Sequence, residues 1–208
     1  MDVAPVGVKA LMVDVDGVVV VHPHGRRWDC NIEADFGIAS ADLQRAFFHP
    51  HFRDVLLRRA DLHERLAVAL AEIAPHVAPE ELSAYWFARD SRVDHELLKD
   101  LRCVRAGGIR VHLATSQEHR RARYLWSVLK LCDRFDAMHY SAALGCEKPD
   151  AAFFRAIEAR TGFEPAELLL IDDLVSNVKA ARGCGWSAEV WDGSERLADL
   201  LRRAGVTV

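Results

Sequence analysis

The stretch Leu11-Met12-Val13-Asp14-Val15-Asp16-Gly17 indicates the fold more strongly than any other part of the chain. It ends an apolar run that begins at Val8, and it adds two carboxylates that share one side of an extended backbone. Two carboxylates at this spacing repel each other unless a cation or a shared proton relieves the charge. An Asp-Gly turn or a helix cap is the plainer interpretation of the same residues.

Four further apolar runs are equally short: Ile109 to Ala114, Ala137 to Ser141, Leu168 to Ile171 and Ala188 to Trp191. Apolar residues on both alternating faces are typical of parallel strands that helices cover on each side. Segments with helical periodicity separate the later runs, at Glu118 to Leu131, Asp150 to Thr161 and Val175 to Arg182. This alternation predicts an α/β fold, with a doubly wound, Rossmann-like parallel sheet.

Residues 22–92 interrupt the alternation, because they contain no convincing strand and include amphipathic segments at Asp61 to Ile73 and Pro79 to Ala88. We therefore expect a core of residues 1–21 and 93–208 with an α-helical insertion of residues 22–92. The insertion contains two His-Pro-His segments, His22 to His24 and His49 to His51, and the stretch Gly25 to Trp28. We expect surface or hinge loops there and no metal site, since no third ligand has a suitable spacing.

The composition excludes several classes of protein. The 208 residues carry 27 Lys and Arg against 31 Asp and Glu, a formal net charge of -4 that offers no general attraction for a nucleic-acid backbone. The five cysteines form no CxxC pair and fit neither a zinc ribbon nor a disulfide framework. No apolar run approaches the roughly 18 residues of a membrane span, and the N-terminus has no secretory leader pattern. We expect a soluble cytoplasmic protein that binds neither nucleic acid nor membrane, and the oligomeric state stays open.

Polar side chains also follow the later strands. Thr115 and Ser116 follow the second run, Lys148 lies in the loop after the third, and the Asp172-Asp173 pair with Asn177 follows the fourth. Hydroxyl and backbone N–H groups at such a junction can hold a phosphoryl oxygen, although a plain helix N-cap explains Thr115 and Ser116 as well. Carboxylate and amide oxygens are ligands that Mg²⁺ prefers. Because open α/β sheets bind ligands at the carboxyl ends of their strands, we expect these groups in one crevice.

The ordered set Asp-x-Asp-Gly, Thr, Lys-Pro and Asp-Asp-x-x-x-Asn resembles the haloacid dehalogenase (HAD) superfamily of phosphohydrolases over nearly the whole chain. The helical insertion is similar to the small α-helical cap of the C1 type in that family. The resemblance implies that Asp14 attacks phosphorus and forms an aspartyl-phosphate, and that Asp16 serves as general acid and then general base. It also implies that Thr115, Ser116 and Lys148 bind the transferring phosphoryl group of a small phosphorylated metabolite.

The resemblance further implies a Mg²⁺ cofactor. Its ligands would be Asp14, the backbone carbonyl of Asp16, and Asp173, with Asp172 binding through water or supporting the ligands, and Asn177 would support that loop. Family members that cleave carbon–halogen bonds lack the second acid, so Asp16 favours phosphate esters over haloacids. Val18 stands where many relatives have Thr, and Ser116 where many have Asn, which affects the expected handling of the substrate and not the hydrolytic step.

Three alternatives stay open at this point. A phosphomutase of the same superfamily shares every motif. A signalling receiver domain also gathers acids, a Thr and a Lys around Mg²⁺, but its phosphoacceptor Asp follows the middle strand and it has no helical insertion, whereas Thr115 follows that strand here. A binding protein on a catalytically inactive scaffold is the third alternative.

Overall fold

The protein, described here by a computed structural model over residues 7–22 and 27–206, is built on a five-stranded sheet. The strands are β1 (Ala10–Val13), β2 (Arg110–Thr115), β3 (Ala137–Tyr140), β4 (Leu168–Asp172) and β5 (Ser187–Val190). They lie in the order β3-β2-β1-β4-β5, and every neighbouring pair is parallel. The chain therefore winds outward from β1 in both directions, which confirms the predicted doubly wound α/β fold.

The central strand β1 is buried on both faces. Leu11 and Val13 pack into one apolar cluster, and Ala10 and Met12 pack into another on the opposite face. Each of the four side chains is at most 1% exposed. A strand that is apolar at every position is therefore explained by its place in the middle of a covered parallel sheet.

Five helices lie within residues 32–89, between β1 and β2. They are α1 (Ile32–Phe36), α2 (Ser40–Leu43), which continues through a wider helical turn (Gln44–Phe48) into α3 (His49–Leu56), and then α4 (Leu62–Ile73) and α5 (Pro79–Arg89). Asp61 caps α4 by accepting hydrogen bonds from two backbone N–H groups of its first turn. These helices share a third apolar cluster of their own, which includes Phe47 and Leu66.

The remaining helices cover the sheet. They are α6 (His95–Ala106), α7 (His119–Arg123), α8 (Ser141–Leu144), α9 (Ala151–Thr161), α10 (Val175–Gly183) and α11 (Leu197–Arg203), with short 3₁₀ turns at Leu131–Asp133 and Pro165–Glu167. None of the helices in the described ranges is both long and apolar enough to cross a membrane. All five cysteines are free thiols, as their spacing predicts.

The structure changes some local expectations. The helix predicted from Glu118 to Leu131 is α7 followed by a wider helical turn, Tyr124–Val128, and it ends before Lys130, whose positive φ of 58° cannot continue a right-handed helix. The prediction of a loop at His49 to His51 is wrong. These residues begin α3, and a proline is tolerated in the first turn of a helix. Residues 23–26, which hold His24 and the first two residues of the Gly25 to Trp28 stretch, lie outside the described residues.

Candidate active site

The chain topology brings the predicted site residues to one edge of the sheet. Asp14 follows β1, Thr115 ends β2, and Asp172 ends β4, and these three strands are neighbours. Lys148 reaches the same edge from the loop between α8 and α9. A cavity of about 490 Å³ opens there, and it is lined by every predicted site residue except Asp172, namely Asp14, Asp16, Thr115, Ser116, Lys148, Asp173 and Asn177.

A buried lysine joins two of the carboxylates. The Nζ of Lys148 lies 2.8 Å from Oδ1 of Asp14 and 2.6 Å from Oδ2 of Asp172. Burial by itself would lower the pKa of Lys148, but the two carboxylates raise it above its ordinary value, so the lysine stays charged. Burial raises the pKa of Asp14 to about 7, against the opposing attraction of Lys148. The single lysine therefore leaves excess negative charge in the cluster.

Asp172 is fully buried, and both of its oxygens are engaged. Its Oδ1 accepts hydrogen bonds from the backbone N–H of Leu174 and the side-chain amide of Asn177, each at 2.9 Å, while Oδ2 binds Lys148. Asp172 is therefore arranged to hold Lys148 and the loop after β4. Asn177 is placed where the sequence predicts a supporting residue, since its amide fastens helix α10 to that carboxylate.

The carboxylates suit a divalent cation. Asp14, Asp172 and Asp173 each place an oxygen within 4.8 Å of the others. Burial and the adjacent Asp172 raise the pKa of Asp173, which is a sign of crowded negative charge. Asp14 and Asp173 offer carboxylate oxygens of the hard kind that Mg²⁺ prefers, while both oxygens of Asp172 already accept hydrogen bonds. The residues present therefore fit the predicted Mg²⁺, with Asp14 and Asp173 as the carboxylates that line the cavity.

Gly17 permits the close approach of two pairs of acidic residues, Asp14 with Asp16 and Asp172 with Asp173. Its φ is +82°, and a Cβ at this position would lie 2.4 Å from Oδ2 of Asp173. A side chain here would therefore be strained in its backbone and would displace the carboxylate. The glycine of the Asp-x-Asp-Gly segment is thus explained by the geometry of the site.

Thr115 and Ser116 do not cap the following helix. The cap of α7 is Glu118, whose carboxylate accepts the backbone N–H groups of Arg120 and Arg121. The N-cap interpretation of Thr115 and Ser116 is therefore wrong, and both residues line the cavity. The hydroxyl of Thr115, at the end of β2, lies 3.4 Å from the side-chain amide of Gln117.

Asp16 lines the cavity beside groups that the sequence analysis did not single out. Its Oδ2 accepts a hydrogen bond of 2.5 Å from Nε2 of Gln117. Its Oδ1 is buried and has no hydrogen-bond partner in the described part of the chain. Burial raises the pKa of Asp16, while the nearby Arg121 opposes that rise. An amide residue directly after Thr115-Ser116 was the available signal for Gln117, but it is neither titratable nor a metal ligand.

A second missed group, Arg121, joins α7 to the end of α5. Arg121 is fully buried and donates hydrogen bonds to the carbonyls of Phe87 and Asp90, at the end of α5. The carboxylate of Asp90 also lies 2.6 Å from Nε2 of His22, which lines the cavity. Nothing in the sequence pattern distinguishes Arg121 from its exposed neighbours, because its partners lie 31 and 34 residues away.

The fold is a doubly wound α/β fold, and its candidate active site lies at the carboxyl ends of the parallel strands. A family model described as haloacid dehalogenase-like hydrolase matches residues 8–185. The chain belongs to the haloacid dehalogenase-like hydrolases.

Two curated relatives share part of the chain. The flavin mononucleotide hydrolase 1 of Arabidopsis thaliana, named as chloroplastic, is 29% identical over 145 residues, which are 62% of this chain and 58% of the relative. The sesquiterpene phosphatase astK of Aspergillus oryzae is 29% identical over 100 residues, 45% of this chain and 48% of the relative. The chain thus matches about half the length of each of these relatives.

Solved structures have the same fold. A HAD family enzyme from Bacteroides thetaiotaomicron, in complex with magnesium and inorganic phosphate, superposes with a TM-score of 0.78 at 20% identity over 94% of this chain and 100% of that one. A HAD-like family hydrolase from Porphyromonas gingivalis gives a TM-score of 0.78 at 20% identity over 97% and 99% of the two chains. The architecture is therefore shared over nearly the full length.

Proposed function

We propose that this hydrolase is a Mg²⁺-dependent phosphatase that cleaves a small phosphorylated metabolite through an aspartyl-phosphate. One observation carries the proposal: Asp14, Asp173 and Lys148 line one cavity, with Asp16 and Thr115 beside them. Two relatives named as a flavin mononucleotide hydrolase and a sesquiterpene phosphatase support it, as does the neighbour that holds magnesium and inorganic phosphate.

Asp14 is suited to be the nucleophile. Its Oδ1 accepts hydrogen bonds from Lys148 and from the backbone N–H of Val15, at 2.8 and 2.7 Å. These contacts fix the carboxylate, so Oδ2 is the oxygen available to attack phosphorus in line. The bond from Oδ2 to phosphorus forms while the bond from phosphorus to the leaving oxygen breaks.

Asp16 handles the protons. Its carboxyl donates a proton to the departing alkoxide, and the resulting carboxylate then accepts a proton from the water that hydrolyses the aspartyl-phosphate. That second step releases inorganic phosphate and restores Asp14. Burial raises the pKa of Asp16, which is the direction that favours the protonated carboxyl that a general acid needs.

The remaining groups hold the phosphoryl oxygens. The hydroxyls of Thr115 and Ser116 and the ammonium of Lys148 face the same cavity and would donate to those oxygens as their charge develops. A bound Mg²⁺, held by Asp14, Asp173 and the carbonyl of Asp16, would neutralise the negative charge shared by the carboxylates and the phosphate dianion.

We also propose that residues 22–92 form a cap on a core of residues 1–21 and 93–208. Support comes from two ion pairs between the two parts. Arg53 of α3 lies 2.7 Å from Glu147, which lines the cavity, and Arg120 of α7 lies 3.0 Å from Asp61. A cap in this place would exclude water while the leaving group departs. The cytoplasmic location stays a prediction.

Phosphate release from p-nitrophenyl phosphate and from a panel of phosphorylated metabolites tests the proposal. We expect Mg²⁺-dependent release that EDTA abolishes, and a loss of at least about 10³-fold in Asp14→Asn, the range that removal of a nucleophile produces. Equal rates in wild type and Asp14→Asn would overturn the nucleophile assignment. An isomerised sugar phosphate in place of free phosphate would indicate the phosphomutase alternative.

A further inference from the structure

Gln117 forms the hydrogen bond that fixes the carboxyl of Asp16. Its Nε2 lies 2.5 Å from Oδ2 of Asp16 and 3.4 Å from the hydroxyl of Thr115. Gln117 is only 5% exposed, so water does not compete freely for this amide. Oδ2 of Asp16 accepts this hydrogen bond, so the NH₂ end of the amide faces Asp16. One buried amide therefore joins the proposed general acid to the proposed phosphate-binding threonine.

The backbone of Gln117 is fixed as well. Its carbonyl accepts a 2.9 Å hydrogen bond from the hydroxyl of Ser141 and a 3.1 Å hydrogen bond from the backbone N–H of Ala142. Both donors belong to α8, which follows the neighbouring strand β3, and Ser141 is fully buried. The backbone that carries the amide is therefore fixed to α8, and the side chain can impose an orientation on the group it contacts.

The two oxygens of Asp16 are in different situations. Oδ2 is held by Gln117, whereas Oδ1 has no hydrogen-bond partner within residues 7–22 and 27–206. A carboxyl group without the amide could rotate about both of its side-chain bonds. With the amide in place, Oδ2 stays bound and the carboxyl keeps one orientation, although its buried Oδ1 has no partner of its own among the described residues.

We propose that Gln117 is a positioning residue for leaving-group protonation: it holds Oδ2 of Asp16 and so keeps the carboxyl in the orientation from which it protonates the departing oxygen. The inference rests on the proposed phosphatase function. In the step concerned, the bond from phosphorus to the leaving oxygen breaks, the electron pair stays on that oxygen, and the proton of Asp16 moves to it. Gln117 itself exchanges no proton.

Two substrates that differ in their need for a proton test this role. p-Nitrophenolate leaves without protonation, whereas the alkoxide of 2-phenylethyl phosphate needs a proton as it departs. The variant Gln117→Met keeps the length of the side chain and removes the donor. Gln44→Met makes the same chemical change in the helical insertion, away from the cavity, and serves as the matched control.

The measured quantity is kcat/KM, because it reports the steps through leaving-group departure and excludes hydrolysis of the aspartyl-phosphate. We expect Gln117→Met to lower kcat/KM for the alkyl ester roughly 10- to 100-fold, the range of one hydrogen bond to a charged group, and for the aryl ester less than about 3-fold. Gln44→Met should match wild type on both esters. Equal losses on the two esters in Gln117→Met would overturn the proposal, since a general structural defect does not distinguish leaving groups.

Crystal structures of wild type and Gln117→Met give a second, independent result. We expect Asp16 in a single orientation in wild type and in a shifted or divided orientation in the variant. An unchanged Asp16 in the variant would overturn the positioning role whatever the kinetics show. If wild type hydrolyses neither ester with Mg²⁺, the proposed function fails, and this pair of structures still decides whether Gln117 positions Asp16.

Discussion

Replacing Lys148 by Met tests the energetics of the buried charge cluster. The methionine fills a similar volume and removes the only positive charge within hydrogen-bonding distance of Asp14 and Asp172 in the described part of the chain. The two carboxylates are then left buried and facing each other without a cation, because Asp172 is 0% and Asp14 only 6% exposed. Activity should also be lost, but stability is the sharper measurement.

The expected loss of stability follows from the burial of the two carboxylates. Removing one partner of a buried, hydrogen-bonded ion pair costs about 3–5 kcal/mol, and most of that cost is the charge left behind. A protein of this size loses about 2–4 °C in Tm for each kcal/mol, so we expect a decrease of roughly 6–20 °C. An exposed lysine should contribute within about 0.5 kcal/mol, which makes Lys179→Met, on the surface of α10, the matched control.

The loss of stability in Lys148→Met should depend on pH, and the direction of that dependence can be derived. Asp14 already has a raised pKa of about 7, and removal of Lys148 raises it further. A carboxyl whose pKa is higher in the folded than in the unfolded state binds protons on folding, so stability decreases as the pH rises toward the folded value. The destabilisation of Lys148→Met should therefore be larger at about pH 8 than at about pH 6.

Thermal and urea unfolding of the two variants and wild type, in EDTA so that no added cation replaces the lysine, provides the assay. A free energy of unfolding for Lys148→Met within about 0.5 kcal/mol of wild type at both pH values would refute the reasoning. Burial of the two carboxylates without a cation would then not destabilise the folded state.

Three further outcomes are expected. Because Mg²⁺ binds ionised carboxylates and the pKa of Asp14 is about 7, the apparent Mg²⁺ affinity in calorimetry should increase from about pH 6 to about pH 8, and a pH-independent affinity would contradict the assignment. Gly17→Ala should weaken Mg²⁺ binding by displacing Asp173, whereas Gly193→Ala, which has a similar positive φ of +70° but open space around it, should affect only stability. Asp136 accepts a backbone N–H and two arginines, so Asp136→Asn should cost about 1–2 kcal/mol in urea unfolding at neutral pH. The pKa of Asp136 is lowered despite burial, chiefly by those hydrogen bonds, so this difference should vanish as the pH falls below the ordinary value of 3.8, and a difference that persists there would refute its electrostatic origin.

The sequence by itself determined the strands and helices, and the edge of the sheet at which the acidic residues lie. The five apolar runs became the five strands within one or two residues, although Ser141 begins α8 and Trp191 lies beyond β5. Strands and helices are readable in this way because their periods of 2 and 3.6 residues appear within a short window. The carboxyl ends of parallel strands share one edge of a sheet, so residues that follow strands could be placed together before any coordinates were known.

Only the tertiary structure decided what each polar group contacts. It showed that both oxygens of Asp172 are engaged, that Glu118 and not Thr115 caps α7, and that Gln117 binds Asp16 from 101 residues away. Such pairings leave no local pattern, because they depend on which loops pack together at the sheet edge and on how close glycine allows them to come. Local periodicity therefore identified the site, and long-range packing of the loops around Asp14 set its hydrogen bonds and its charge.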